Sequence, residues 1–129
     1  VRSRLIAAEL LDVGIDVNCA PLADLVEEET HPVLRNRLYG SGIEEVVAAA
    51  RACADGLLAG GVLPVLKHIP GYGRATVDSH LGLPRVHARR EMLEARDFAP
   101  FRALADLPKT ARNQTVLEPV KDLATTARP

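Results

Sequence analysis

The chain has 129 residues, with 16 Lys and Arg against 17 Asp and Glu and a net charge of −1 at pH 7. This length is enough for one domain with a real core, and the balanced charge argues against nucleic acid or an anionic membrane as the main partner. No apolar run approaches the roughly 20 residues of a membrane span and no signal peptide is recognisable, so we expect a soluble cytoplasmic protein.

The first predicted elements are a helix and a buried strand. The helix covers residues 2–13 and ends at Gly14, because glycine readily adopts the left-handed conformation that follows many helices. The apolar run at 15–22 is typical of a buried strand, and a polar connection occupies residues 22–40. One face of the helix carries Ile6, Leu10 and Val13.

The second helix is expected to begin at Ser41, with Glu44 completing a capping box, and to end at Gly60. The run at 62–68 predicts a second buried strand, in which Pro64 suggests an edge or an irregularity. Residues 87–107 return to a helical pattern. We expect two pieces here, because a proline is tolerated only near a helix start, and Asp97 is the candidate cap of the second piece.

Helices and strands therefore alternate, which is typical of an α/β fold with parallel strands and right-handed crossovers. Two or three strands cannot close a barrel, and a (β/α)₈ barrel needs about 250 residues. The pattern predicts a partial barrel. Cys19 in the first strand and Cys53 on the second helix are expected to be buried free thiols and not a disulfide.

Three groups of polar side chains follow the predicted strands, where the active face of such folds lies. Arg37 follows the first strand, Lys67 and His68 end the second, and Asp78 and His80 occur in the stretch KHIPGYGRATVDSH. A histidine moves protons near neutral pH, and a nearby carboxylate can fix its tautomer.

Spacing alone leaves alternatives open for these residues. Asp78 and His80 could belong to an incidental solvated loop, His68 could be a core histidine, and Arg37 could be a surface arginine. Zinc binding by His68, Asp78 and His80 is conceivable, but their spacing does not select for it. The GYGRAT stretch lacks the Gly-Lys-Ser/Thr ending of a phosphate loop.

The longer string KHIPGYGRATVDSHLGLPRV resembles the signature of glycoside hydrolase family 3, and within it the bacterial β-N-acetylglucosaminidases of peptidoglycan recycling. GIDVNCAPLADL, NRLYG and ARDFAPFRAL are similar to further segments of that family and follow in the same order. The resemblance covers residues 3–108. It implies a TIM barrel and retaining hydrolysis of terminal β-linked N-acetylglucosamine, with a carbohydrate substrate and no metal or other cofactor.

The same resemblance implies residue roles. His80 corresponds to the mobile general acid/base and Asp78 to its orienting partner, while Arg37, Lys67 and His68 correspond to substrate-binding residues. An Asp elsewhere would form the glycosyl-enzyme intermediate, and the resemblance places that nucleophile beyond residue 129.

Two departures from the family pattern stand out. Tyr72 occupies a position where the family usually has histidine, and residues 109–129 barely resemble the family. We therefore expect a partial catalytic domain over 1–108 and a divergent tail over 109–129. The alternatives are a non-catalytic sugar-binding or degenerate remnant of the family and, more distantly, a metal-dependent hydrolase.

Overall fold

The computed structural model describes residues 1–107 of the chain. Its first part contains three helices and two short strands: α1 (Arg2–Asp12), β1 (Val17–Asn18), α2 (Pro32–Arg35), α3 (Ile43–Ala59) and β2 (Leu63–Pro64), where α2 is a single short turn. The second part is one irregular helix, which begins as α4 (Arg90–Met92), widens into a π-helical turn (Leu93–Asp97) and continues as α5 (Ala99–Ala103). The predicted tail at 109–129 lies outside the described residues.

The two strands run parallel, as predicted, with Val17 opposite Leu63. Backbone pairing extends beyond them: the Lys67 N–H donates to the Pro21 carbonyl at 3.1 Å, and the Ala23 N–H donates to the Lys67 carbonyl at 2.8 Å. Pro64 fits because the amides of its neighbours, and not its own nitrogen, face β1. This pairing places the residues after 23 and after 67 at the same edge.

The core lies between α3, α5 and the segment after β1. Its buried side chains are Ala23, Leu25, Val46, Ala50, Ala54, Phe101, Leu104 and Leu107. A second, smaller cluster of Ala7, Leu57 and Val62 joins α1 to α3. Gly56 and Gly60 allow this close approach, because a Cβ atom at either position would meet the side chain of Ser3 or Ala7. α3 is therefore the central scaffold of the described residues.

Several details differ from the sequence-based expectations. α3 begins after Gly42 without a side-chain cap, so the predicted capping box from Ser41 to Glu44 does not form. Asp97 does not cap α5, since its carboxylate is occupied by Arg74. The polar connection contains α2, which was not predicted. With only four residues, this helix is too short to show an apolar period in the sequence.

The predicted apolar face of α1 is only partly correct. Ala7 is the buried residue of this helix, whereas Ile6 and Val13 are exposed. Cys19 is a free thiol but exposed, so its predicted burial is wrong; Cys53 is a half-buried free thiol. None of the helices within residues 1–107 is long and apolar enough to cross a membrane.

Candidate functional site

The site begins with a buried carboxylate, Asp24, which follows the backbone pairing that extends beyond β1 to residue 23. Its side chain is 0% exposed. One oxygen, Oδ2, accepts from both the ring Nδ1 of His68 at 2.7 Å and the His68 amide at 3.1 Å. The other oxygen accepts from the Tyr72 amide at 2.7 Å. Asp24 therefore fixes His68 as the tautomer protonated at Nδ1, which leaves Nε2 free to accept a hydrogen bond from a ligand.

The loop after His68 packs closely against the segment that follows β1. Gly73 has no room for a side chain, because a Cβ atom there would overlap the carbonyl oxygen of Leu25. The buried Thr30 hydroxyl donates to the Gly73 carbonyl at 2.7 Å and accepts from the Glu27 amide at 2.7 Å. These contacts hold the base of the loop that carries Asp78 and His80.

Asp78 and His80 form a second carboxylate–histidine pair at the tip of that loop. The Oδ1 atom of Asp78 accepts from the His80 ring Nδ1 at 2.7 Å and from the His80 amide at 2.9 Å. The backbone hydrogen bond from His80, followed by the ring hydrogen bond, lowers the pKa of Asp78 below its usual value. The His80 side chain is 89% exposed. Its Nε2 can therefore reach a ligand and donate or accept a proton.

A network of charges surrounds the base of the loop. Arg74 Nε donates to Asp97 Oδ2 at 3.0 Å, and an Arg74 terminal nitrogen lies 3.3 Å from Glu27 Oε1. Arg96 donates to the same Glu27 oxygen at 2.6 Å. Because Arg74 and Glu27 are only 13% and 15% exposed, these pairs are partly shielded from solvent. The network joins both loops to the π-helical turn.

The five predicted site residues lie in three places in the structure: after the second strand, in the loop beyond it, and after α2. Lys67 and His68 follow the second strand, and Asp78 and His80 are in direct contact with each other. Within residues 1–107, no hydrogen bond or ion pair joins Arg37 to the other four. Arg37 lies after α2 as an exposed residue, with its amide bonded to the Leu34 carbonyl.

Sequence reasoning missed Asp24 and Thr30 as parts of this site. A signal existed for Asp24, since this acid lies two residues after the end of a predicted buried strand, at the edge where ligands bind. Thr30 lies in the polar connection, and its partner Gly73 is 43 residues away, so local patterns give no indication of it. Within the described residues, no group of three or more His, Cys, Asp or Glu side chains is placed to hold a metal ion.

Comparison with known proteins gives one family. The profile of the glycosyl hydrolase family 3 N terminal domain matches residues 2–111. A beta-hexosaminidase of Methylococcus capsulatus (strain Bath) is 46% identical over 100 residues, which are 78% of this chain and 30% of that protein. The chain thus spans about a third of the length of this relative.

Solved structures agree with that result. The structure of zinc-bound CbsA from Thermotoga neapolitana matches with a TM-score of 0.74 and 33% identity, over 81% of this chain and 22% of that one. NagZ from Neisseria gonorrhoeae, solved in complex with N-trifluoroacetyl-D-glucosamine, matches with a TM-score of 0.72 and 39% identity, over 79% of this chain and 30% of that one. The described residues therefore have the fold of part of a TIM-type barrel.

Proposed function

Because the chain belongs to the glycosyl hydrolase family 3 N terminal domain family, we propose that it supplies the acid/base part of a retaining β-N-acetylhexosaminidase. The observation that carries this proposal is the Asp78–His80 pair, 2.7 Å apart on an exposed loop with the imidazole open to a ligand. His80 protonates the departing glycosidic oxygen and later removes a proton from the attacking water.

Asp78 orients the imidazole and stabilises the imidazolium form. Its own pKa is lowered by hydrogen bonds from His80, so it remains an acceptor throughout the cycle. The sugar is held by His68, whose free Nε2 accepts from a hydroxyl, together with Lys67 and Arg37. The nucleophilic carboxylate is outside this set of residues.

The substrate we propose is a terminal β-linked N-acetylglucosamine on a peptidoglycan-derived glycoside, cleaved in the cytoplasm. Support for the sugar comes from relatives called beta-hexosaminidase and from a neighbour solved with an N-acylated glucosamine. The reaction uses no metal or other cofactor in this scheme. The alternative is a non-catalytic role as a sugar-binding remnant, and substitution of His80 distinguishes that role from catalysis.

The test is His80→Ala in the full-length protein, with His87→Ala as the matched control. His87 is also an exposed histidine, but it lies beyond the loop. Loss of general acid/base catalysis should lower turnover of an alkyl or disaccharide N-acetylglucosaminide by about 10²–10⁴-fold. A nitrophenyl glycoside should lose less in the glycosylation step, because its leaving group needs less protonation.

Retention of normal kcat by His80→Ala on both substrates would exclude His80 as the acid/base. Sugar binding without turnover, unchanged by either variant, would favour the non-catalytic alternative.

A further inference from the structure

The Tyr72 hydroxyl contacts the backbone on both sides of Asp78. It donates to the Val77 carbonyl at 2.7 Å and accepts from the Ser79 amide at 2.8 Å. Since a phenol can donate and accept at the same time, one side-chain group satisfies both backbone atoms. Tyr72 thus closes the segment 72–79 into a loop that is fixed at its two ends.

The other end of Tyr72 contacts the first carboxylate–histidine pair. Its amide donates to Asp24 Oδ1 at 2.7 Å. Its ring lies against the imidazole of His68, with centroids 5.4 Å apart and planes tilted by 57°. Tyr72 therefore connects the pair of Asp24 and His68 to the exposed pair of Asp78 and His80.

We infer that Tyr72 is a positioning residue that holds the exposed pair in its working geometry; this rests on the function proposed above. Asp78 Oδ1 accepts two hydrogen bonds from His80, which requires a defined backbone from 78 to 80. The Tyr72 hydroxyl bonds the residues immediately before and after Asp78, where that backbone is set.

The hydroxyl matters because little else fixes the tip of the loop. Leu81 and Leu83 are 86% and 80% exposed, so no apolar packing within the described residues anchors them. The Leu81 and Gly82 amides bond the Asp78 carbonyl, but these contacts are local to the turn. Without the Tyr72 hydroxyl, the turn can stay intact yet move as a unit relative to the site.

The experiment compares Tyr72→Phe with Tyr39→Phe in the full-length protein. Both variants lose one hydroxyl and keep the ring, but the Tyr39 hydroxyl lies beside the Cys53 thiol of α3 and not at the loop. For Tyr72→Phe we expect kcat on an alkyl N-acetylglucosaminide to fall about tenfold, with KM nearly unchanged. On a dinitrophenyl glycoside kcat/KM, which reports the glycosylation step, should fall by less than about twofold, because that leaving group departs without an acid.

Amide hydrogen exchange provides a readout that does not depend on activity. The Ser79 amide loses its acceptor in Tyr72→Phe, so its exchange should accelerate roughly fivefold or more, while Tyr39→Phe leaves it unchanged. A variant that is partly unfolded would instead lose turnover of both substrates equally, and exchange would increase throughout the chain.

Three results would overturn the inference. Unchanged Ser79 exchange in Tyr72→Phe would show that the hydroxyl does not hold the loop. Faster exchange with unchanged turnover of both substrates would show that the held geometry has no catalytic role. Full activity of His80→Ala would reveal failure of the proposed function itself, and the positioning role would fail with it.

Discussion

At the scale of single residues, the two carboxylates orient their histidines in different ways. Asp24 is buried and binds His68 across 44 residues of sequence, so that orientation depends on the paired strands. Asp78 is two residues from His80 and binds it within one turn. For this reason the spacing of Asp78 and His80 indicates their contact, whereas the partner of His68 requires the tertiary structure.

Replacing Asp24 with asparagine should destabilise the protein. The new side-chain amide would present an NH₂ group to donors from His68 or Tyr72, which leaves buried polar atoms unpaired. We expect the free energy of unfolding to fall by about 1–3 kcal/mol or more, measured by urea unfolding followed by circular dichroism. The exposed Asp12→Asn should change it by less than about 0.5 kcal/mol. Equal effects of the two variants would contradict the structural role of Asp24.

The titration of Asp78 gives a pH-dependent prediction. Its folded-state pKa is lowered, so its contribution to stability is present above the unfolded value of about 3.9 and is lost as pH falls through the folded value. An NMR titration of carboxyl carbons should find a lower pKa than in an unfolded peptide of this segment. In His80→Ala part of the depression should persist, because the backbone amide at position 80 is the larger cause. A pKa equal to that of the peptide would refute the hydrogen bonds.

At the scale of elements, the long helices were predictable and the irregular ones were not. α1 and α3 carry enough turns for an apolar period to be visible, and Gly14 and Gly61, both at positive φ, follow their ends. The π-helical turn was missed because Asp97 and Arg96 contact Arg74 and Glu27 from distant segments. Local patterns do not contain these tertiary contacts.

The contact between α1 and α3 depends on Gly60. A Cβ atom at this position would overlap the Cβ of Ala7 and crowd the Arg4 carbonyl, so the helices would have to move apart. Gly60→Ala should therefore lower the free energy of unfolding by about 1–3 kcal/mol. Gly82→Ala is the matched control, since its nearest neighbour, Val77 Cγ1, would lie at an ordinary 3.5 Å. Thermal unfolding of both variants measures the difference, and a stable Gly60→Ala would mean that the helices readjust at little cost.

At the scale of the whole molecule, the described residues leave much apolar surface uncovered. Leu5, Val13, Ile15 and Val17 on α1 and around β1 are all more than 40% exposed. In a closed barrel, neighbouring strands and helices cover such residues. The α/β class and the partial barrel were predictable from the alternation of elements; which apolar side chains remain exposed depends on neighbours that the alternation does not specify.

The 129-residue chain by itself should be inactive and prone to associate. Retaining hydrolysis requires a nucleophile opposite the acid/base, and exposed strand edges and apolar patches favour self-association. We expect no turnover of a fluorogenic N-acetylglucosaminide and a rise in scattered light with concentration. Val17→Asp should reduce the association, whereas Leu83→Asp on the loop should not. Robust turnover that is abolished by His80→Ala would instead reveal a nucleophile within the chain, with Asp122 and Glu118 the first candidates for mutation.

The exposed Cys19 beside β1 gives the molecule an intrinsic chemical reporter. Cys19 is exposed to reagents, while Cys53 is half-buried on α3 beside Tyr39. A maleimide dye should therefore modify Cys19 first. Because Cys19 follows directly after the uncovered strand, its alkylation rate measures how much of that strand is accessible. Slower alkylation at higher protein concentration would locate self-association at β1 without any introduced label site.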